Sequence, residues 1–166
     1  MKPIVFIGMM GSGKTTIGHA LAKKLHKTHI DLDEWIEAQQ QMSVTKLFQT
    51  QGEAYFRQCE VQALKEVLLQ YEIISPGGGI ILNPNNRELL KQMATVIYLK
   101  ATPQTLLTRV TSSNRPLLQD GNVEEKLSTI LSKRQALYEE TAHYEIETDH
   151  LTVDDVIEQI LKLEKA

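Results

Sequence analysis

The strongest constraint on the fold is a stretch of nine residues, GMMGSGKTT, at positions 8–16. It fits the pattern G-x-x-x-x-G-K-[ST] through Gly8, Gly13, Lys14 and Thr15, and it lies between the apolar run IVFI and the helix-like run TIGHALAKKL. A strand, a glycine-rich loop and a helix in this order are typical of a phosphate-binding P-loop, in which amides and the lysine hold phosphates and the hydroxyl ligates Mg²⁺. The alternative, a glycine turn that only caps a helix, is disfavoured by the flanking strand and helix.

A P-loop binds a nucleoside triphosphate, so we expect ATP and Mg²⁺ as cofactors. The loop residues expected to contact the nucleotide are Gly11, Ser12, Gly13, Lys14, Thr15 and Thr16. Such a loop also needs a carboxylate near its metal ion, usually from the end of another strand. The nearest source is the sequence DLD at 31–33, which closes the second predicted strand.

Short apolar runs alternate with longer amphipathic stretches along the whole chain. The runs predicted as strands are 4–7, 29–33, 72–75, 95–99 and 144–148. The stretches predicted as helices are 14–26, 33–40, 43–70 with a break around Gly52, 84–92, 103–111, 123–141 and 152–164. The internal strands are nearly all apolar, which is typical of strands covered on both faces in a parallel sheet. The chain is therefore predicted to form a three-layer α/β fold with helices on both sides of the sheet.

Length and composition limit the function classes. The 166 residues fit one domain, 1–166. A net charge of −3 and scattered lysines argue against nucleic acid or acidic lipid as a partner, and no apolar run approaches the roughly 18 residues needed to cross a bilayer. Cys59 is the only cysteine, so no intrachain disulfide can form, and the N-terminus lacks the apolar core of a signal peptide. We expect a cytoplasmic protein, and a monomer because no long heptad seam is visible.

The two aspartates of DLD are the first candidate site residues outside the P-loop. Residues two apart on a strand share a face, so Asp31 and Asp33 are both expected at the carboxyl end of the sheet, where ligands bind in open α/β folds. One could hold a metal-bound water while the other contacts a substrate hydroxyl. The alternative is that Asp33 caps the following helix and Asp31 is a solvated strand end.

Glycines and arginines supply the other candidates. Gly77, Gly78 and Gly79 form a run whose conformational entropy is costly, and the usual reason is close approach of the backbone to a ligand; a plain flexible turn is the alternative. Four of the five arginines lie beside loops or motifs: Arg57, Arg109, Arg115 and Arg134. Their planar guanidinium groups suit carboxylate and phosphate recognition. Arg57 could instead pair with acidic residues at helical spacing, and Arg134 could be a solvated helix residue.

Taken together, these motifs resemble those of the shikimate kinase family. The matching segments are GMMGSGKTTIG, DLD, the block F-x-x-x-x-GE-x-x-FR-x-x-E from Phe48 to Glu60, PGGG, RPLL and R-x-x-x-Y. The resemblance extends over essentially the whole chain and implies a P-loop fold of the nucleoside-monophosphate-kinase type, with a five-stranded parallel sheet in the order 2-3-1-4-5. It also implies transfer of the γ-phosphoryl group of ATP to the 3-hydroxyl of shikimate, in the biosynthesis of aromatic amino acids.

The resemblance also implies a role for each candidate residue. At the nucleotide, Lys14 and the loop amides hold the phosphates, Thr15 binds Mg²⁺, and Asp31 and Ser75 act on the ion through water. The substrate-binding region covers about 33–60, and within it Asp33 orients the acceptor hydroxyl and takes its proton. The remaining acceptor contacts are implied for Arg57 and Arg134 at the carboxylate and for Gly77, Gly78 and Gly79 along the ring.

The Pro, Gly and Asn content of SSNRPLLQDGN, residues 112–122, predicts a mobile loop, with an ordinary surface connection as the alternative. The resemblance further implies that this segment is a lid. Arg115 would move with the lid to the transferring phosphate, and Arg109 would lie near the nucleotide. One departure concerns the segment after the last strand. Family members often have a proline there, where adenine is contacted, whereas this chain has Asp149, His150 and Leu151.

Three alternative functions are open at the level of sequence. Another small-molecule kinase of the same fold, such as gluconate kinase, also uses an acceptor with a carboxylate and hydroxyls, but Arg57 and Arg134 together with DLD and PGGG favour shikimate. A GTPase-like switch is disfavoured because the sequence contains neither N-K-x-D nor D-x-x-G. A regulatory phosphate-binding module without catalysis would keep Lys14 but would not need Asp33.

Overall fold

The strands follow the predicted runs closely. A computed structural model describes residues 2–110 and 122–165. The strands in these residues are β1 Ile4–Ile7, β2 His29–Asp31, β3 Ile73–Ser75, β4 Thr95–Lys100 and β5 Tyr144–Glu147. They form one parallel sheet in the order β2-β3-β1-β4-β5, with Ile4 of the central strand beside Ile73 on one side and Thr95 on the other. The predicted order 2-3-1-4-5 is confirmed.

Helices connect the strands and cover the sheet. They are α1 Lys14–Leu25, α2 Leu32–Gln40, α3 Val44–Gln51, α4 Glu53–Leu68, α5 Pro84–Met93, α6 Pro103–Val110, α7 Val123–Thr141 and α8 Val153–Lys165, and a short 3₁₀ helix, Ile80–Leu82, precedes α5. The predicted break is confirmed, because Gly52 has a φ of 86° and separates α3 from α4. None of the helices in the described ranges is both long enough and apolar enough to cross a bilayer.

Alternate residues of the central strand face two separate hydrophobic cores. Val5 and Ile7 pack among buried residues of α2 to α7, while Ile4 and Phe6 pack with buried residues of α1 and α8. Each face of the sheet therefore buries apolar surface, at a gain of about 25 cal/mol per Å². This confirms the three-layer arrangement and explains why the strand has no polar residue.

The second strand is shorter than predicted. The Asp31 carboxylate accepts a hydrogen bond from the amide of Glu34 at 3.1 Å, which caps α2, so the helix begins at Leu32. The prediction that Asp31 and Asp33 share one face of a strand is therefore wrong, since Asp33 lies in the first turn of α2. The alternative of a helix cap at Asp33 is wrong as well, because Asp31 is the cap.

Candidate active site

A cavity of about 400 Å³ opens at the carboxyl ends of β1, β2 and β3. The predicted site residues that line it are Gly11, Gly13, Lys14, Thr15, Thr16, Asp31, Asp33, Arg57, Gly77, Gly78, Gly79, Arg109 and Arg134. Further lining residues are Met10, Val44, Phe48, Phe56, Glu60 and Pro76. Ser12 belongs to the same loop and is buried. Arg115 and the lid predicted over 112–122, except for its last residue, lie outside the described residues.

The phosphate end of the cavity is formed by the loop between β1 and α1. Gly8 and Gly11 have φ angles of 151° and 82°, and a Cβ atom on Gly8 would lie 2.7 Å from the carbonyl oxygen of Leu99. Glycine is needed for both the positive φ and the close approach. The Lys14 side chain is buried, and its Nζ donates to the carbonyl oxygens of Gly8 and Met9 at 2.7 and 2.9 Å. The loop thus places a cation beside the N-terminus of α1, an arrangement that favours phosphate binding.

Thr15 and Asp31 form a pair of oxygen donors beside this loop. Thr15 Oγ1 donates to Asp31 Oδ2 at 2.5 Å, and both residues line the cavity. Mg²⁺ prefers hard oxygen ligands, keeps several waters and binds one or two carboxylates together with substrate phosphates. The pair lies next to the P-loop and offers one hydroxyl and one carboxylate, so these residues fit Mg²⁺.

Asp33 faces the glycine run from the first turn of α2. A Cβ atom on Gly77 would lie 3.1 Å from Asp33 Oδ1. The two aspartates of DLD therefore serve different parts of the cavity, Asp31 beside Thr15 and Asp33 beside Gly77. This separation allows one carboxylate to act at a metal ion and the other at an acceptor group.

Arg57 projects from α4 and is held by two acidic residues of the same helix. Its Nη1 donates to Glu60 Oε1 at 2.8 Å, and its Nε and Nη2 both lie 3.2 Å from Glu53 Oε2. Burial alone would lower the pKa of Arg57, but Glu60 and Glu53 outweigh burial and raise it. A Cβ atom on Gly79 would lie 2.6 Å from Cζ of this guanidinium. Arg57 is thus a cation packed directly on the glycine run and anchored by buried Glu60. The pairing with acidic residues of its own helix, given above as the alternative, is also present.

Glu60 was not predicted as a site residue, although it stands in the GE-x-x-FR-x-x-E block, three positions after Arg57. It is 1% exposed, and Oε2 has no hydrogen-bond partner among the described residues. Burial raises its pKa to about 7, and nearby Arg57 only partly offsets this. A buried carboxyl group with such a pKa adds a second acid to the acceptor end. Helical spacing is the only sequence signal for it, and spacing alone does not reveal burial.

Arg134 enters the cavity from α7 and is 7% exposed, so it is not a solvated helix residue. Its Nη1 has no hydrogen-bond partner among the described residues. A Cβ atom on Gly78 would lie 3.4 Å from this nitrogen and 3.4 Å from the amide nitrogen of Met10 in the P-loop. Tyr138, one turn further along α7, donates to the carbonyl oxygen of Gly78 at 2.6 Å, and burial raises its pKa to about 12. Gly78 is therefore the place where the acceptor end meets the phosphate end.

Arg109 joins the P-loop to the segment that follows β5. Its Nη1 lies 3.3 Å from the carbonyl oxygen of Gly11, and its Nη2 lies 3.4 Å from the carbonyl oxygen of Thr148. The next residue, Asp149, accepts a hydrogen bond from the amide of Thr102 at 3.0 Å, which lowers the pKa of this carboxyl group. Asp149 thus connects the segment after β5 to Thr102, which directly precedes α6.

Ser75 ends β3 and is 1% exposed. Its Oγ donates to the carbonyl oxygen of Lys14 at 2.8 Å and lies 2.9 Å from His29 Nε2. Burial lowers the pKa of His29, with a smaller opposing effect from Asp31 and a further lowering from His19. The Ser75 hydroxyl is therefore engaged with protein groups below the cavity and does not line it.

The chain is similar in sequence to proteins described as shikimate kinases. A family model described as shikimate kinase matches residues 10–164. The shikimate kinase of Enterococcus faecalis is 42% identical over 165 residues, which are 98% of this chain and 98% of that protein. The structure of the shikimate kinase of Acinetobacter baumannii in complex with shikimate is similar with a TM-score of 0.95 and 38% identity, over 99% of this chain and 93% of that one.

A more distant structure is similar in fold only. The deoxyadenosine kinase of M. mycoides with bound dATP has a TM-score of 0.67 at 18% identity, over 99% of this chain and 100% of that one, which shows a shared fold and no more. The match of the family model and the identity to full-length relatives are far more specific. The chain belongs to the shikimate kinase family, a family of ATP- and Mg²⁺-dependent phosphotransferases.

Proposed function

We propose that this chain transfers the γ-phosphoryl group of ATP to the 3-hydroxyl of shikimate, giving shikimate 3-phosphate and ADP. The observation that supports this most directly is a single cavity with two chemically different ends. One end is a P-loop with a buried lysine, and the other contains Arg57, buried Arg134 and Asp33 around a run of glycines. The similar structure from Acinetobacter baumannii was solved with shikimate, a small ring with one carboxylate and hydroxyl groups.

At the acceptor end, Arg57 and Arg134 hold the carboxylate of shikimate. Guanidinium groups bind carboxylates through parallel hydrogen bonds, and Nη1 of Arg134 still lacks a partner among the described residues. Arg57 keeps Glu60 as its buried partner while its exposed partner, Glu53, can give way to the ligand. Buried Arg134 would thus be preorganised for the carboxylate of shikimate, whereas Arg57 would exchange Glu53 for it.

Asp33 and the glycines orient the reacting hydroxyl. Gly77, Gly78 and Gly79 have no side chains, so the ring can approach the backbone between the two arginines and Asp33. Asp33 accepts a hydrogen bond from the 3-hydroxyl and turns an oxygen lone pair toward the phosphate end. General-base assistance of this kind contributes about 10²–10⁴ in rate.

At the phosphate end, the loop amides and Lys14 hold the β- and γ-phosphates in line with the hydroxyl. Thr15, and Asp31 through water, would hold the Mg²⁺ ion, which would neutralise the phosphate charge. The 3-oxygen of shikimate forms a bond to the γ-phosphorus, and the bond from that phosphorus to the bridging oxygen of ADP breaks. The hydroxyl proton passes to Asp33, and ADP leaves with the electron pair of the broken bond.

The test is ADP release by the purified chain with Mg-ATP and, in turn, shikimate, gluconate, a panel of nucleoside monophosphates or no acceptor. We expect release only with shikimate and its near-complete loss in Asp33→Asn. The matched control Glu34→Gln changes an exposed carboxylate on the same helical turn and should retain the rate. Release with another acceptor, or none with shikimate, would contradict the proposal while leaving the P-loop assignment intact.

We also infer that the enzyme acts in the cytoplasm. Its substrate ATP is a cytoplasmic metabolite, and Cys59 is the only cysteine and half-buried in a hydrophobic cluster, so the fold needs no oxidising compartment. Fractionation of cells that express the full chain should place it with the cytoplasmic enzymes. Recovery with membranes or outside the cell would contradict this inference.

A further inference from the structure

Three elements meet below the cavity at Gly18, in the second turn of α1. A Cβ atom on this glycine would lie 2.5 Å from Ser75 Oγ and 2.6 Å from His29 Nε2. In the sheet, His29 pairs with Ile73 and Asp31 pairs with Ser75. Residues in register or two apart on neighbouring strands share a face, so His29, Asp31 and Ser75 all project toward α1. The helix therefore lies directly on the pair formed by half-buried His29 and buried Ser75, at a position where any side chain would displace that pair.

The direction of each hydrogen bond in this pair follows from the number of protons. A serine hydroxyl has one proton, and Ser75 Oγ donates it to the carbonyl oxygen of Lys14 at 2.8 Å. The contact of 2.9 Å between Ser75 Oγ and His29 Nε2 must then be a hydrogen bond donated by the Nε2–H of His29. His29, Ser75 and the Lys14 carbonyl thus form one directed chain from β2 through β3 to the first residue of α1.

This chain lies between the groups that the proposed reaction uses. Lys14 and Thr15 are the first two residues of α1, and Thr15 Oγ1 donates to Asp31 Oδ2 at 2.5 Å. Asp31 follows His29 by two positions on β2. A bond that fixes the Lys14 carbonyl relative to β3 therefore fixes the rotation and height of the first turn of α1, and with them the distance from Thr15 to Asp31.

We propose that His29 is a positioning residue for the phosphoryl transfer: acting through Ser75, it holds the first turn of α1 in the register that lets Thr15 and Asp31 share a Mg²⁺ ion. The kinetic part of this inference rests on the proposed function, and the metal-binding part does not. Groups that orient metal ligands from behind typically change metal affinity about 10- to 100-fold when they are removed. The loss should appear in the Mg²⁺-dependent step and not in the binding of the acceptor.

The direct test is calorimetric titration of the full chain with ADP, once with Mg²⁺ and once with EDTA. His29→Phe keeps a planar ring but removes the N–H donor, and we expect the Kd for ADP with Mg²⁺ to rise about tenfold. The Kd for ADP in EDTA should stay within about twofold of the original value. Ser75→Ala should show the same pattern, and the double variant should be no weaker than the weaker single variant, because the two side chains act in one chain of hydrogen bonds.

Two further variants separate positioning from general support of the fold. His29→Gln retains an N–H donor and should recover the Kd with Mg²⁺ to within about threefold. His19→Phe is the matched control, because the exposed His19 ring contacts His29 edge-on, with centroids 6.2 Å apart, and makes no hydrogen bond to Ser75 among the described residues. It should leave both Kd values unchanged. In kinetics, His29→Phe should lower kcat and raise the Mg²⁺ concentration needed for half-maximal rate while the KM for shikimate changes little.

Several outcomes would overturn the inference. Equal weakening of ADP binding with and without Mg²⁺ would assign His29 a merely structural role, and unchanged binding in both would assign it none. A glutamine variant as weak as the phenylalanine variant would exclude the hydrogen bond as the cause. If His29→Phe fails to fold, the comparison of His29→Gln with Ser75→Ala decides the same question. Absence of shikimate phosphorylation by the unaltered chain would contradict the proposed function alone, since the titrations with ADP do not use shikimate.

Discussion

The two ends of the cavity are built in opposite ways. The core of the phosphate end is one continuous segment, 8–16, in which Lys14 contacts carbonyl oxygens only five and six positions away. Asp31 of β2 and Arg109 of α6 join this loop from other elements. The acceptor end is assembled from four distant segments: α2 with Asp33, α4 with Arg57 and Glu60, the glycines after β3, and α7 with Arg134. A local loop can be recognised by its own pattern, whereas a site assembled from distant segments exists only when the whole fold is in place.

The ends also differ in how their charges are satisfied. In the phosphate end the Lys14 ammonium is held by carbonyl oxygens of its own loop. In the acceptor end two buried charged groups, Glu60 and Arg134, each keep one atom without a hydrogen-bond partner among the described residues. Buried polar groups without partners cost free energy of folding, and sites that bind polar ligands commonly retain that cost. Among the described residues, the phosphate end also has a buried atom without a partner, but it is the neutral hydroxyl of Ser12, whereas the groups of this kind named at the acceptor end are ionisable.

The largest expected effect of a substitution is on kcat, at Asp33. Asp33→Asn preserves shape but removes the proton acceptor, so kcat should fall by about 10²–10⁴. The Kd for ADP with Mg²⁺ should stay the same, because Asp33 lies beside Gly77 and not beside Thr15. Steady-state kinetics and calorimetry on the same preparation check both values. Weakened nucleotide binding would show that the two ends are not separate in function.

At the far side of the acceptor end, Arg134→Met should change the affinity for shikimate. Loss of hydrogen bonds to a charged group costs about 1.5–3 kcal/mol, so the KM for shikimate should rise about 10- to 100-fold. The KM for Mg-ATP should not change. The matched control is Lys133→Met, which removes the neighbouring exposed cation on α7 and should leave both constants unaltered. An equal effect of the two variants would mean that overall charge, and not a contact, attracts the substrate.

The phosphate end was predictable because strand, loop and helix are contiguous in sequence. The acceptor residues could be named as candidates from their residue types, but only the resemblance to a family implied that they form one site, since nothing local to Arg57 or Arg134 shows that they meet. The assignment of Asp33 to a strand was wrong because the Asp31 carboxylate caps α2 and the strand ends two residues early, although Asp33 does line the cavity. Burial of Glu60 and the bond from His29 to Ser75 depend on packing between distant segments. The periodicity of apolar residues within one helix or strand does not show which distant residues pack against it. The predicted roles of the individual site residues stay predictions until variants are measured.

Two glycine substitutions sharpen the contrast between the ends. In Gly8→Ala the new Cβ meets the backbone oxygen of Leu99 at a φ of 151°, so the unfolding free energy should fall by about 1–3 kcal/mol or more. In Gly79→Ala the Cβ meets the guanidinium of Arg57, which can shift by giving up exposed Glu53 while keeping buried Glu60. We expect little loss of stability there but a KM for shikimate about tenfold higher, since a displaced arginine loses hydrogen bonds. Thermal unfolding and kinetics distinguish the two, and a reversed pattern would contradict the difference between the ends.

A further expected effect is the pH dependence of stability at Glu60. Its pKa is about 7 in the folded chain against the usual 4.5, so the folded state binds more protons than the unfolded state between these values. The free energy of unfolding contributed by Glu60 is therefore full below pH 4.5 and decreases as the pH rises to about 7, by at most about 1.4 kcal/mol per pH unit. Glu60→Gln does not titrate and should lose this dependence. Urea unfolding across the window checks it, and parallel curves for the two proteins would show that Glu60 has an ordinary pKa.

The most direct test of the two-ended cavity is a crossed set of calorimetric titrations. Shikimate and ADP with Mg²⁺ are each titrated into the unaltered chain, Lys14→Met and Arg134→Met. We predict that Lys14→Met raises the Kd for the nucleotide about tenfold or more and leaves the Kd for shikimate within about twofold, while Arg134→Met does the reverse. The opposite pattern, or weakening of both ligands by each variant, would contradict the assignment of the P-loop to the phosphate donor and of the arginine pair to the acceptor.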